Sequence, residues 1–171
     1  PAFHTKITED TLQVHSNYYK SLSQLNDGDT LVVGAGDSGY QILDEVSKDD
    51  SRLVYFSGKT NVKSLPQSFM GKSLWWWFTK IGFLKFNKFS RIGKLLKSIP
   101  QPVIGTNVDE ILGRENVIPV GRTKNALGKD LFFDKAKVSS IKNIIWATGY
   151  KPNFKWIEGL EFFFPIASIN L

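Results

Sequence analysis

Three glycines at a fixed spacing follow a short apolar run near the start of the chain. Residues 30–33 lead directly into Gly34, Gly36 and Gly39, so G-x-G-x-x-G stands between a predicted strand and a helix-like stretch. In this setting the first glycine permits a tight turn, the second lets backbone approach a diphosphate, and the third lets the helix pack closely. The helix start adds free N–H groups and a partial positive charge. The pattern predicts a dinucleotide site; the alternative is a glycine-rich turn that only packs a helix on a sheet.

The predicted diphosphate site takes in the whole turn between strand and helix. The Ser38 hydroxyl offers one further hydrogen bond to a phosphate. The candidate residues are Gly34, Ala35, Gly36, Asp37, Ser38 and Gly39.

The end of the next predicted strand, residues 53–56, indicates which dinucleotide fits. An NAD site usually has an acidic residue there to bind the ribose 2′-hydroxyl. This chain instead has Ser57, Gly58 and Lys59, with no carboxylate to repel a 2′-phosphate. Lys59 can form a charge-assisted bond to that phosphate, and Ser57 can donate its hydroxyl. The sequence therefore favours NADP(H) over NAD(H); the alternative is that Lys59 is a solvated loop lysine.

Composition limits the classes of protein that this chain can represent. Its 171 residues suit one domain with a real core. With no cysteine and two histidines, the chain has no disulfide, thiolate metal site or cysteine nucleophile. We expect no metal site and assign no catalytic residue. No uninterrupted apolar run is long enough to cross a bilayer, so we expect a cytoplasmic protein.

A basic, aromatic segment stands out within the net charge of +6. Residues 51–108 contain no Asp or Glu, and residues 65–100 are predicted to form an insertion that is partly helical. Helical spacing places Leu74, Trp77, Phe78 and Ile81 on one face. The favoured interpretation is that these aromatics pack on the sheet or on another domain. Contact with an anionic membrane surface is an alternative, as is self-association, for example as a homodimer; nucleic acid is not an expected partner.

The remaining patterns predict an α/β domain. We expect short helices over residues 18–25 and 107–112, and a strand over residues 117–120. A hairpin is predicted around Asp134 and Lys135, followed by a buried strand over residues 141–146 that ends in Ala147, Thr148 and Gly149. Strands that alternate with helices indicate a parallel sheet with a Rossmann-like order.

Four segments match motifs of one enzyme family. Residues 32–39 (VVGAGDSG) resemble its second glycine fingerprint, and residues 144–152 (IIWATGYKP) resemble its A-T-G-[YF]-x-P linker. Residues 15–19 (HSNYY) resemble the H-x-x-x-[YF] half of its identifying sequence, and residues 69–77 resemble its aromatic insertion. The chain thus resembles the NADP-binding domain of bacterial FAD-dependent monooxygenases of the flavin-containing and Baeyer–Villiger group.

The resemblance implies a three-layer domain of the two-dinucleotide-binding flavoprotein type. It implies that NADPH and FAD are the cofactors, with the nicotinamide held against the flavin so that hydride can pass. Ala147, Thr148 and Gly149 would line that contact, and His15 would help to position the domains. The cofactor does the hard chemistry in such enzymes, while the protein orients it and excludes water.

The ends of the chain suggest a piece of a larger protein. It starts at Pro1, stops soon after an apolar stretch, and has only one G-x-G-x-x-G. We therefore expect residues 1–171 to be an NADP(H)-binding domain that does not hold its own flavin and is inactive alone. The alternatives are a non-catalytic nucleotide-sensing module and a membrane-peripheral interaction domain.

Overall fold

A computed structural model describes residues 4–82 and 102–150 of the chain. The described part has three helices, α1 (Asp37–Val46), α2 (Leu74–Lys80) and α3 (Val108–Leu112), and 3-10 turns at His4–Lys6 and Leu22–Gln24. Its strands in chain order are β1 (Leu12–His15), β2 (Thr30–Val33), β3 (Val54–Ser57), β4 (Ser64–Leu65), β5 (Ser68–Phe69), β6 (Lys72–Ser73), β7 (Val103–Ile104), β8 (Val117–Pro119), β9 (Thr123–Leu127), β10 (Asp130–Phe133), β11 (Lys137–Ser139) and β12 (Asn143–Trp146).

A five-stranded parallel sheet forms the centre of the domain. Its strand order is β1-β12-β2-β3-β8. All four residues of β2 and of β12 are buried, as expected where layers cover both faces of a parallel sheet. The chain moves outward from β2 through β3 to β8, and then returns to the opposite side of β2 with β12. The strand order therefore reverses between β2 and β12, which is where open α/β sheets bind their ligands.

Different layers cover the two faces of the sheet. On one face, α1 and α3 pack on Val32, Phe56 and Ile145 through a core that includes Leu43 and Ile111. On the other face lies an antiparallel sheet of order β11-β10-β9. The core on that side joins central strands to this small sheet, and its members include Leu31, Ile144, Ala126, Leu131 and Phe133. The prediction of a three-layer, Rossmann-like α/β domain is confirmed.

Helix α1 is fixed to the sheet by both apolar and charged contacts. Tyr40, Leu43 and Val46 recur at helical spacing and are fully buried. Asp44 on the same helix accepts from Arg114, with Nη2 and Oδ1 2.6 Å apart. The Arg114 side chain also donates to the Asp44 carbonyl at 2.9 Å. The helix is thus joined to the segment that leads into β8, and its N-terminus keeps a fixed position above the sheet edge.

A buried polar cluster closes the amino-terminal edge of the sheet. Asn143 is fully buried, and its side-chain amide pairs with both backbone groups of Asn26, at 2.8 and 2.9 Å. Its nitrogen also donates to the Thr30 hydroxyl at 3.3 Å. Arg52, 8% exposed, donates to the same hydroxyl and to backbone carbonyls of the preceding turn. These bonds align the starts of β2 and β12 and leave the opposite edge free.

Several details differ from the sequence-based expectations. Strand β1, at the edge of the central sheet, was not predicted, and the strand expected over residues 141–146 begins at Asn143. The predicted helix over residues 18–25 is only the turn Leu22–Gln24, because Ser21 and Gln24 cap a single turn whose apolar residues pack on the core. Strand β3 begins at Val54, since Leu53 is 40% exposed and lies outside the ladder. Strand β9 is an additional element. It lies at the edge of its sheet with only Ala126 buried, so it carries no alternating apolar pattern.

Only part of the predicted insertion lies within the described residues. Strands β4 and β7 pair in parallel, and between them the antiparallel hairpin β5–β6 leads into α2. Residues 83–101 of this insertion lie outside the described residues. The boundaries 65–100 and 1–171 stay predictions. Among the residues described, no helix has the length and apolar character needed to cross a bilayer.

Replacing Asn143 by Ala should lower the free energy of unfolding by about 2–3 kcal/mol. The substitution leaves the Asn26 N–H without its partner. It also removes one of the two side-chain donors to the Asn26 carbonyl and the Thr30 hydroxyl, the other donor being Arg52. Urea denaturation measures the change. Asn125→Ala on the exposed side of β9 is the matched control, which should stay within about 0.5 kcal/mol of the unaltered chain. Equal effects of the two substitutions would contradict the structural role of Asn143.

Acid should destabilise the domain in part through Asp49. Hydrogen bonds from Ser51 and then from Arg52 lower the pKa of this carboxyl to about 2. Because an unfolded Asp titrates near pH ~3.9, this contribution to stability is complete above that pH and is lost as the pH falls towards about 2. Urea denaturation at a series of pH values should show a shallower acid loss for Asp49→Asn. Parallel curves for the two proteins would show that Asp49 does not carry this dependence.

Candidate functional site

The turn from β2 into α1 is built on backbone contacts that only glycine permits. Gly34 has φ +125°, and a Cβ there would lie 2.0 Å from the Ala147 carbonyl oxygen. A Cβ on Gly39 would lie 2.1 Å from the Gly34 carbonyl oxygen. The first turn of α1 therefore rests directly on the end of β2, and that end rests on the residue following β12. Both contacts match the roles predicted for the first and third glycines.

The middle glycine of the turn faces open space instead. A Cβ on Gly36 would meet no heavy atom within 4 Å. Gly36 is the N-cap of α1 and supplies no side-chain bond to the first helical N–H groups, which lack partners within the helix. The Asp37 carboxylate accepts from the Ile104 amide at 3.2 Å. The turn thus presents backbone N–H groups beside Gly36 and Ser38, which is the surface that a diphosphate requires.

A continuous crevice runs along the carboxyl edge of the sheet on both sides of this turn. One lobe, about 640 Å³, adjoins the ends of β1 and β12, and another, about 920 Å³, adjoins the ends of β3 and β8. Gly34, Ala35 and Thr148 line both lobes, so the lobes meet at the glycine turn. The crevice lies at the point where the strand order reverses, as the general rule for open α/β sheets predicts.

The larger lobe is cationic. Lys59, Arg122 and Lys135 line it from three separate loops, and all three side chains are exposed. Among the described residues, none of the three forms an ion pair. The carboxylate of Asp134, also at this lobe, pairs with Lys124 at 2.9 Å and accepts from the Arg122 backbone N–H. The positive charge of the lobe is therefore available to an anion.

Ser57 contributes to this lobe in a different way from that predicted. Its side chain is almost completely buried, 2.6 Å from the Thr123 hydroxyl, and it accepts from the Thr123 N–H at 3.0 Å. These bonds join the end of β3 to the start of β9 and bring Arg122 to the pocket. A direct bond from the Ser57 hydroxyl to a phosphate would require this pair to open.

A buried tyrosine holds the loop that carries Lys59. The Tyr40 hydroxyl donates to the Lys59 carbonyl at 2.6 Å, and its ring packs on Phe56 with centroids 5.1 Å apart. Burial, together with the nearby Asp109 charge, raises the pKa of Tyr40 to about 12, so the hydroxyl stays a donor at neutral pH. A Cβ on Gly58 would lie 2.9 Å from the Ala35 Cβ, so this loop also abuts the glycine turn.

The smaller lobe is lined by small and polar residues beyond the end of β12, and Asp37 is its one charged residue. This lobe is lined by Ala147, Thr148 and Gly149, together with Ser16 and Tyr150. The Ser16 hydroxyl lies 3.0 Å from the Tyr150 hydroxyl. His15 lies outside this lining; its ring meets the Tyr150 ring edge-on, with centroids 5.4 Å apart.

Sequence reasoning found one half of the cationic lobe and missed the other. Arg122 and Lys135 were not predicted, because no motif spans the loops that bring them to the pocket. One signal was present, however. Gly58-Lys59-Thr60 and Gly121-Arg122-Thr123 repeat the order glycine, cation, threonine. Each follows one of two neighbouring parallel strands, β3 and β8, whose carboxyl ends must lie side by side.

The sequence is similar to bacterial oxidoreductases over nearly its whole length. It is 35% identical over 158 residues to a Geobacillus kaustophilus protein described as uncharacterized oxidoreductase CzcO-like, a match that covers 92% of this chain and 45% of that protein. It is 32% identical, with the same coverage, to the uncharacterized oxidoreductase CzcO of Bacillus subtilis. The chain thus spans about half the length of the curated relatives it matches. No family model matches the sequence.

The fold is that of solved flavin monooxygenases. A double mutant of the flavin monooxygenase from Stenotrophomonas maltophilia superposes with a TM-score of 0.59 and 18% identity, over 96% of this chain and 42% of that one. Cyclohexanone monooxygenase superposes with a TM-score of 0.56 and 10% identity, over 89% of this chain and 46% of that one. The chain is therefore related to the CzcO oxidoreductases in sequence and shares its fold with the flavin-containing and Baeyer–Villiger monooxygenases.

Proposed function

We propose that the chain is the NADP(H)-binding domain of an FAD-dependent, monooxygenase-type oxidoreductase. The observation that carries this proposal is the crevice at the reversal of strand order, with an open glycine turn at its centre and a cationic lobe at one side. An adenine dinucleotide phosphate has the complementary shape, with a diphosphate in the middle and a further phosphate at one end. The sequence relationship to oxidoreductases agrees with this assignment.

The glycine turn would bind the diphosphate of the coenzyme. Open space at Gly36 leaves room for phosphate oxygens beside the first N–H groups of α1. The positive end of the helix dipole acts in the same direction. Ala35, Asp37 and Ser38 would add backbone donors, and Ser38 a hydroxyl. Because a side chain at Gly34 or Gly39 would meet backbone atoms, these two glycines would serve to bring this helix end close to the sheet edge.

The cationic lobe would bind the 2′-phosphate of the adenosine ribose. Lys59 follows β3, the position where an NAD site usually has its acid, and Arg122 approaches from the next strand. Two cations in one pocket favour a dianionic phosphate strongly over a ribose hydroxyl. Ser57 would act by holding Thr123 in place, and Gly58 by letting the loop approach the glycine turn.

The smaller lobe would receive the nicotinamide half of the coenzyme. The segment that follows β12 lines this lobe, on the side of the glycine turn opposite to the cationic lobe. Its residues are Ala147, Thr148 and Gly149. When bound, NADPH supplies the hydride, and FAD in the rest of the protein would accept it. The residues of this chain would hold the ring in a fixed orientation at the domain surface and exclude water around it.

The NADP(H) preference should depend on Lys59 and Arg122. We expect the unaltered chain to bind NADPH at least about tenfold more tightly than NADH, because only NADPH carries the 2′-phosphate. Lys59→Ala and Arg122→Ala should each weaken NADPH binding about tenfold and leave NADH binding nearly unchanged. Isothermal titration measures all the affinities.

Lys142→Ala is the matched control for these substitutions. Lys142 is also exposed, but it lies at the start of β12, at the opposite edge of the sheet. This variant should bind both coenzymes as the unaltered chain does. Equal affinities for NADPH and NADH that survive Lys59→Ala and Arg122→Ala would overturn the coenzyme assignment.

The two kinds of glycine in the turn should respond differently to alanine. Gly36→Ala should leave the free energy of unfolding within about 1 kcal/mol, since its methyl group meets no atom, yet weaken NADPH binding at least about tenfold. Gly39→Ala should lower stability by about 2 kcal/mol or more, because its methyl group meets the Gly34 carbonyl. Urea denaturation and NADPH titration separate the two effects. Undiminished NADPH binding by Gly36→Ala would place the diphosphate elsewhere.

A further inference from the structure

A group of exposed apolar side chains projects from hairpin β5–β6 and helix α2. It contains most of the large apolar side chains that are exposed in the described residues. Single exposed apolar residues are common, but a contiguous group of them marks an interaction site. This aromatic patch consists of Phe69, Met70, Trp75, Trp76 and Ile81, exposed by 56, 77, 56, 39 and 66%.

The aromatic patch belongs to one folded unit. The Trp77 indole donates to the Phe69 carbonyl at 2.9 Å, and the two rings meet edge-on with centroids 6.2 Å apart. The Ser73 side chain caps α2 by accepting from the Trp76 N–H. Trp77 thus joins helix α2 to the hairpin β5–β6. Trp75 and Trp76 on the same helix are exposed. Of the four residues predicted to share one face, Leu74, Trp77 and Phe78 are half-buried, whereas Ile81 is exposed.

Two lysines flank the exposed indole of Trp76. The ammonium groups of Lys72 and Lys80 each lie 5.6 Å from the centre of the Trp76 ring. Neither forms an ion pair with another described residue. The sequence from residue 51 to residue 108 contains ten Lys and Arg and no Asp or Glu. The Trp76 indole and the ammonium groups of Lys72 and Lys80 therefore share one surface. Residues 51–108 contain no acidic side chain that could neutralise these charges.

We propose that the aromatic patch docks on the surface of an anionic lipid bilayer, with Trp75 and Trp76 at headgroup depth and Lys72 and Lys80 among the lipid phosphates. Tryptophan flanked by lysine is the arrangement that suits this depth, where one end of the ring is apolar and the other is wet. The lysine side chains can reach the headgroups while their stems stay in apolar contact.

The charges make protein partners less suitable. A covering protein face would desolvate the ammonium groups of Lys72 and Lys80 at a high cost unless it supplied carboxylates at both positions. A second copy of this chain, packed through the same patch, would bring four like charges together. A bilayer surface with anionic phosphates satisfies the charges and leaves them hydrated.

The aromatic patch lies apart from the crevice that we propose as the coenzyme site. None of the five patch residues, nor Lys72 or Lys80, lines either lobe of the crevice. Titration with NADPH therefore tests the coenzyme site, while vesicle binding tests the patch, and either result stands without the other.

Vesicle sedimentation with the full chain tests the proposal. The probes are vesicles of phosphatidylcholine alone and of equal parts phosphatidylcholine and phosphatidylglycerol. We expect binding only to the second kind, a blue shift of tryptophan emission on binding, and weaker binding in higher salt. Trp75→Ala with Trp76→Ala should lower the partition coefficient at least about tenfold. Lys72→Gln with Lys80→Gln should also lower it about tenfold.

Two controls match these double variants. Leu127→Ser removes an exposed apolar side chain from strand β9, and Lys20→Gln with Lys142→Gln removes the same charge outside the patch. Both should bind vesicles as the unaltered chain does. Absence of binding to the anionic vesicles, equal binding to the two kinds of vesicle, or binding unchanged in both patch variants would overturn the proposal. So would a dimer in sedimentation velocity that Trp75→Ala with Trp76→Ala abolishes, because a second copy would then cover the patch.

Discussion

The domain depends on two close backbone contacts. Gly39 at the start of α1 packs against the Gly34 carbonyl, and Gly34 packs against the Ala147 carbonyl. These contacts bring a helix end, the end of β2 and the end of β12 together without any side chain between them. The two lobes of the crevice meet at this point, so these contacts set where one lobe lies relative to the other.

The sequence predicted what depends on local pattern and missed what depends on contacts between distant segments. Strands β2 and β12 each contain three consecutive apolar residues, and the glycine turn has a fixed spacing, so both could be predicted from the sequence. Strand β9 has only Ala126 buried and showed no pattern. Arg122 reaches the pocket because Ser57 holds Thr123, a contact between residues far apart in the chain. The hydrogen bonds between Ser57 and Thr123 could not be predicted from the sequence for the same reason.

Tyr40 joins helix α1 to the loop that carries Lys59. Tyr40 is fully buried between the helix and Phe56, and its hydroxyl fixes the backbone at Lys59. Since Tyr40 belongs to the helix whose first N–H groups face the crevice, one rigid element positions two different parts of the site. Asp44 on the same helix is bound by Arg114, which leads into β8 and hence towards Arg122. The loops that follow the neighbouring parallel strands β3 and β8 thus both reach the larger lobe of the crevice.

The parallel pair β4 and β7 closes the chain around the segment that carries the aromatic patch. Leu65 and Ile104 lie opposite each other, and the Gly105 N–H donates to the Leu65 carbonyl at 2.8 Å. The entropic cost of closing a loop rises only slowly with its length. The pairing of β4 with β7 therefore tolerates large changes in the length of the segment between them. That segment can thus vary in length and sequence without any change in the central sheet.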